Sequence, residues 1–584
     1  MTGSGRRHVV AGVARVLSPR GALALHRVDG ALTFALRAAL AMALPALPMV
    51  LAGRAEDAVY AMLGAFTTTF GRNLPYPRRA RVLALVAVAM TACVGCGSAL
   101  AAWAHPRAGG VGAAVVVVAM AVVAGLAKFA CDAARLGGLG AVLLLFSFAV
   151  AANGSPALAD VLPQTALAAV GAAVAWALAM VGRLVQPDRP QRFAVAAALR
   201  ELAELLEAAD AGDGGGLTRH RATAAILQAY QSLGLMPPTA AERGGRGGVC
   251  ARLTDLSWSL LIGSARRLPD DTTGLAQHLR RQVRLLTDRR RRVPPLLPEL
   301  SFPSAGAQAG TVCGPAGTRQ DPTDPTTRRA AELRAAELVT GQRRRGPSRI
   351  SVLVVPALRM ALGAGLAGGL ALVLGLGHGY WAAISAAAVL HSINVRTTAQ
   401  RAVQRTLGTV AGLVLAFGVL AARPDSAALV LVIVLLEFLL EYFVARNYGL
   451  GMVFLTPLAL LLTDLDSPEP AGALVQDRAL SSVLGIVIGL ICALLVVHDH
   501  AAVRAERALA ACTEAAERAQ RALADRLEPS FPVVQTHLIA TVVELREADD
   551  AAAGELWPAE IDPAELAAAE QRAYLLLERL ARWR

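Results

Sequence analysis

Lysine is almost missing from this chain. Lys128 is the only one, and arginine carries nearly all of the positive charge. With so much alanine and glycine, this reads as a GC-rich coding bias, so Arg in place of Lys at any one position says little. Charge of either sign is also scarce. Only 17% of the 584 residues are charged and 55% are hydrophobic, against about 25% charged in soluble domains. That scarcity, with a mean hydropathy of +0.49, excludes a wholly soluble protein. The seven cysteines are scattered. Cys93 and Cys96 form a CxxC inside an apolar run with no second ligand pair, which reads as small buried thiols, with no disulfide framework and no metal site. There is no GxxxxGK[ST] phosphate loop, so an ATP-driven pump is not expected. No HExxH or GxSxG context occurs, and GLGHG (375–379) ends an apolar run where a dinucleotide site needs a strand before a helix. The expectation is a non-enzyme without cofactor.

What is present is a series of long apolar runs. A bilayer core takes about 20 residues of helix. Such stretches begin near Leu32, Val59, Val82, Val111, Leu139 and Val161, then resume near Val352, Trp381, Leu407, Ala427, Leu450 and Leu480. The fold class expected is an all-α polytopic membrane protein of about twelve spans in two six-helix blocks. The first run is too long for a signal peptide and lacks a small-residue cleavage site. The second run of each block, 59–70 and 381–393, is the shortest.

The charges between runs follow the positive-inside rule. With Arg6, Arg7, Arg15, Arg20 and Arg27 in the cytoplasm, the segment between spans two and three is cytoplasmic too. It carries Arg72, Arg78, Arg79 and Arg81 in the first block, and Arg396, Arg401 and Arg405 in the second. These arginines read first as topological anchors. The expected location is the cell membrane, multi-pass, with both termini cytoplasmic. A net charge of +13 is thereby tied to the bilayer. No nucleic-acid motif accompanies it, so nucleic acid is not an expected partner.

The blocks also match each other in order. LRAALAMALP (36–45) lies over LRMALGAGLA (358–367), VYAMLGA (59–65) over YWAAISA (380–386), RVLALVAVAM (81–90) over RTLGTVAGLV (405–414), and GLGAVLLLF (138–146) over GLGMVFLTP (449–457). TALAAV (165–170) lies over RALSSV (478–483). Six is even, so both blocks share one orientation, and a rotation about the membrane normal should relate them. One chain is then a pseudo-dimer of six-span units, alone or as a homodimer. Gly365 with Gly369, Gly408 with Gly412 and Gly485 with Gly489 have the spacing of close helix contacts. Because Gly412 lies over Val88, the close approach of the middle pair is expected in the second half only.

ARNYGLGMVFLTPLALLLTDL (445–465) follows two glutamates in EFLLEYFV, and YWAAISAAAV precedes the Arg-rich RTTAQRAVQRTLGTVAG. These segments resemble the membrane module of fusaric-acid-resistance-type proteins, specifically in the second block and more weakly, in register, in the first. The family is similar to aromatic-acid efflux proteins of bacterial inner membranes and, more distantly, to plant aluminium-activated malate channels. The resemblance implies export of aromatic or other organic acids.

The chain divides into a first membrane block (1–186), a cytoplasmic helical domain (187–349) with a flexible loop at 301–327, a second membrane block (350–498) and a C-terminal cytoplasmic helical domain (499–584). Amphipathic periodicity marks helices at 192–209, 220–236 and 275–292, and long Ala-rich helices from His500 and from Pro563. The two soluble parts are expected to pack together. The run Arg289 to Arg292 reads as a solvated helix end.

Charges inside a bilayer are costly and point to function. Arg37 and Arg359 match across the repeat a turn or two inside the first spans. Guanidinium groups can grip a carboxylate with two hydrogen bonds, so the pair is a candidate anion site, with Tyr60 and Trp381 beside it; the other reading is that each snorkels. Glu437 and Glu441 are one turn apart on the fourth span of the second block, where a carboxyl group away from water suits proton coupling. An internal ion pair with Arg446, Arg478 or Arg359 is the competing reading. Lys128 and Asp132 occupy similar but not aligned places in the first block, and Asp477 and Arg478 stand where it has Gln164 and Thr165. The leading function is a proton-coupled exporter of a small organic anion. An organic-anion channel, or a scaffold or sensor acting through the cytoplasmic helices, are the alternatives.

Overall fold

The structure is a computed structural model. It describes residues 30–300 and 347–582, apart from 73, 135, 137–138, 155, 211–215, 236, 238–247, 270, 289–293, 392–394, 496–498, 527–530 and 554–560. The N-terminal arginines, the loop 301–327 and the run Arg289–Arg292 lie outside the described residues.

Among the described residues there are nineteen α-helices and no strand. The first membrane block holds α1 (Ala31–Leu51), α2 (Ala55–Ala65), α3 (Tyr76–Ala104), α4 (Gly110–Ala133), α5 (Gly140–Ala152) and α6 (Val161–Val185). Then come α7 (Arg189–Asp210), α8 (Gly216–Leu233), α9 (Val249–Gly263) and α10 (Thr272–Thr287). The second membrane block is α11 (Pro347–Val373), α12 (Tyr380–Leu390), α13 (Val395–Ala421), α14 (Ser426–Val444), α15 (Tyr448–Asp466) and α16 (Ala471–Leu495). The chain closes with α17 (Asp499–Ala524), α18 (Phe531–Ala553) and α19 (Pro563–Arg582). α1–α6 with α11–α16 form one compact unit, and α7–α10 with α17–α19 form another.

The twelve apolar segments are all helices, but among the described residues only nine helices are long and apolar enough to cross a membrane. α2, α5 and α12 fall short, at 11, 13 and 11 residues. α2 gives way to a 3₁₀ turn over Phe66–Thr69, and α5 stops at Asn153, whose side chain bonds back to the Ala149 carbonyl. Apolar run length therefore overstates these three. Every residue of α5 and α12 is buried, as is α2 from Ala58 onward. The long helices surround them. α1 exposes Leu32, Leu36, Leu40 and Leu44 and α11 exposes Leu358, Leu362, Leu366 and Leu370. These outward stripes repeat every four residues at matching positions of the two halves, and such continuous apolar surface belongs against lipid.

The two halves pack alike. α2 lies on α6 as α12 lies on α16, and α3 on α5 and α6 as α13 on α15 and α16. Between the halves the contacts are exchanged: α1 packs on α14 and α11 on α4, α2 on α15 and α12 on α5. Such reciprocity is what a two-fold relation produces. Glycines set the close approaches. A Cβ on Gly171 would overlap the Ala61 carbonyl, and one on Gly485 the Ala382 carbonyl. Gly408 and Gly412 press on α15, but Gly369 faces open space. The first half also has a close α3–α5 approach, through Gly97 at the Phe148 carbonyl. Close packing of the third helix is thus not confined to the second half, because the first half places its glycine further along.

In the other unit, one core joins α7–α10 with α17–α19. Trp258, Tyr230 and Tyr574 are its largest side chains, each about 1% exposed. Thr223 and Tyr574 share a 2.7 Å hydrogen bond between α8 and α19. α9 and α18 were not evident from periodicity.

Candidate functional site

Paired short segments in the two halves of a membrane protein point to where a transported species binds. α2 and α12 are such a pair, and most of the sequence-predicted residues surround them.

Arg37 on α1 donates from Nε to Thr68 Oγ1 at 3.2 Å and from Nη2 to the Thr68 carbonyl at 3.4 Å. Arg359 on α11 donates from Nη2 to the Leu390 carbonyl at 3.4 Å. Each arginine thus reaches 31 residues ahead, to the C-terminal end of its own half's short helix. A cation there meets carbonyls that the helix leaves unbonded and the negative end of its dipole. Arg359 is 3% exposed, so it does not snorkel. The two arginines hold separate helix ends.

Tyr60 on α2 donates to Asp466 Oδ1 of α15 at 3.3 Å, and Arg107 lies 3.8 Å from the other oxygen of that carboxylate. Trp381 on α12 is buried with its ring centroid 4.8 Å from Tyr380 and 6.0 Å from Phe146 of α5. Each aromatic therefore joins its short helix to the other half.

Glu437 and Glu441 project from α14 and are 0% and 2% exposed. Neither Glu437 oxygen has a hydrogen-bond partner among the described residues. Among the described residues Glu437 forms no ion pair with Arg446, Arg478 or Arg359; Arg446 lies over the Tyr442 ring, Arg478 over Trp381, and Arg359 donates to the Leu390 carbonyl at the end of α12. Glu441 instead faces Arg37 and Arg72 of the first half, beside Thr69. A cavity of about 10 Å³ opens there between Phe66, Thr69, Leu139, Leu143, Glu441 and Leu455, about the room one water needs. In the first half, Lys128 and Asp132 close on each other at 2.9 Å.

Two arginines that sequence reasoning placed elsewhere are buried beside α12. Arg405 lies within α13 and is 2% exposed, so it is not a loop anchor. α13 starts at Val395, because its polar first turns continue the helix ahead of the apolar run. Arg478 lies two turns inside α16, 3% exposed, with its guanidinium carbon 3.9 Å from the Trp381 ring centroid. Their counterparts are Arg81, which is exposed, and Thr165. The signal was available: arginine stands in an apolar segment where the aligned residue is threonine. Among the described residues no group of three metal-binding side chains occurs.

Fold and site together define a polytopic all-helical membrane protein with repeated halves, each built around a short buried helix. Residues 366–492 match the family described as fusaric acid resistance protein-like, so this stretch is of the type that the sequence resemblance implied. The chain is 31% identical over 236 residues to "Uncharacterized membrane protein YvaC" of Bacillus subtilis (strain 168). That match covers 39% of this chain and 36% of the relative, so the chain spans little more than a third of that protein's length. No solved structure matches.

Proposed function

We propose that the protein is a secondary transporter that exports a small organic acid in exchange for protons, from the cytoplasmic side of the cell membrane. The observation that carries the reading is Glu437: a carboxyl group in a membrane span, fully buried, with no donor on either oxygen among the described residues. An ionised carboxylate without partners is expensive in such surroundings, so proton binding at Glu437 is tied to whether the helices admit water. Glu441 sits one turn along and faces Arg37 and Arg72 of the other half. A change in how the halves meet therefore alters the charge that Glu437 experiences. The family match over 366–492 supports transport, and the resemblance supports organic acids as cargo.

Purified protein in liposomes tests this. Benzoate flux should saturate and accelerate under an imposed pH gradient, and Glu437→Gln should remove the acceleration. Conductive, non-saturating flux would favour a channel, and absence of flux for a panel of carboxylates would leave the scaffold reading.

A further inference from the structure

The surroundings of α12 contain hydrogen-bond donors that have no acceptor among the described residues. Arg405 donates from Nη2 to Ser385 Oγ at 3.0 Å and from Nη1 to Tyr448 Oη at 3.4 Å and Met452 Sδ at 3.5 Å, but its Nε has no partner. Arg478 offers Nε and Nη1, and Trp381 offers Nε1, all buried and unpartnered. Thr409 and Ser482, one turn beyond the two arginines, present unpartnered hydroxyls. Among the described residues the titratable groups facing Arg478 are Arg405, Tyr380 and Tyr448, with no carboxylate. The acids at the nearby helix ends are engaged elsewhere: Asp477 and Glu469 with His378, at 3.1 and 3.6 Å, and Asp466 with Tyr60 and Arg107.

A buried unsatisfied donor is destabilising, more so when charged, and two mutually repelling guanidinium groups add to that. A structural arginine in a membrane helix is ordinarily paired with an acid or a carbonyl. An anion beside the two guanidinium groups would supply the acceptor that this cluster lacks, and Trp381, Tyr380 and Phe146 form an aromatic wall there.

We propose that Arg405, Arg478 and Trp381 form a carboxylate-binding site enclosed by α12, α13, α15 and α16, in the second half alone and thus once per chain. The proposal rests on the transport reading for the identity of its ligand as the cargo. The residues are closed from solvent in this structure, so a ligand enters when α12 or α16 shifts, as alternating access requires. Met452 Sδ stands as a weak acceptor where the anion would give a strong one.

Calorimetric titration of the full chain in lipid nanodiscs with benzoate tests the site. Saturable binding is expected, with no binding of benzamide, the uncharged analogue. Arg478→Gln and Arg405→Gln should each weaken binding by about tenfold or more, Arg478→Lys by less, and Arg81→Gln not at all. A thermal melt without ligand keeps the result interpretable: removing a repelling charge should leave Arg478→Gln at least as stable as the parent. Unchanged binding in a folded double variant, equal binding of benzamide or chloride, or no benzoate binding by the parent protein overturns the site. Flux in liposomes separates this from the transport reading. Binding without flux keeps the site and rejects transport, whereas parental flux in the double variant keeps transport and rejects the site.

Discussion

The first half of the membrane unit and the second share their packing but not their charges. α2 and α12 both lie buried against the sixth helix of their half, both have an arginine at their C-terminal end, and both reach across to the other half. Around α12, however, Arg405 and Arg478 are buried, where the first half has an exposed Arg81 and Thr165. On the fourth helices, Lys128 and Asp132 neutralise each other, while Glu437 has no partner among the described residues. The repeat supplies a symmetric scaffold. Function, on our reading, lies in what one half has that the other lacks.

The largest effect should come from what the halves share. Gly485→Leu drives a side chain into the Ala382 carbonyl, and Gly171→Leu into that of Ala61. Overpacking against backbone at such a contact should cost about 3 kcal/mol or more. Both variants should lose most of their monodisperse protein on size exclusion, to a similar degree; tolerance of one alone would break the scaffold symmetry.

Next is the contrast between the fourth helices. Glu437→Gln should abolish the response of organic-acid flux to a pH gradient, and Asp132→Asn should retain it. A loss in both variants, or in neither, would remove the functional asymmetry assigned to α14.

Smaller and again symmetric effects should follow at the short-helix ends. Arg37→Ala and Arg359→Ala each remove a cation from a partly buried helix C-terminus, worth about 1 to 2 kcal/mol. Thermal melts in detergent should show a modest drop for each, and a Lys replacement should recover part of it.

The smallest effect concerns a carboxylate outside the membrane helices. Burial pushes Glu570 on α19 above the usual carboxylate range, against the opposing pull of Arg546 and Arg219. The folded state then holds the proton more tightly than the unfolded chain, so this contribution is present at low pH and is lost as pH rises through the raised value. Protection factors of α19 amides, with exchange rates referred to the intrinsic rate at each pH, should rise slightly on acidification from pH ~7 towards ~4, and Glu570→Gln should remove that trend.

Much of the architecture was legible because apolar runs and their repetition are local properties of the chain. Apart from α13 and α16, the twelve helices begin near where hydropathy places them, and the six-against-six order holds. Length was not legible for α2, α5 and α12, since a 3₁₀ turn at Phe66 or a bonded asparagine at 153 ends a helix without ending the apolar run. The start of α13 was missed for the opposite reason, a polar helical turn preceding the apolar one. Arg37, Arg359, Glu437 and Glu441 were recognisable as charges in the wrong solvent. Their surroundings were not, because the charges of Arg37 and Arg72 act on Glu441 from positions hundreds of residues away in the chain. The α12 donors were hidden by treating Arg405 as a loop charge and Arg478 as a span opener.

The central claim, a symmetric scaffold with one charged site per chain, is tested most directly by counting. Equilibrium dialysis of radiolabelled benzoate against the full chain in nanodiscs should saturate at one molecule per chain, and fall to background in the Arg405→Gln, Arg478→Gln double variant. Saturation at two per chain, or at one per chain in that double variant, would contradict it.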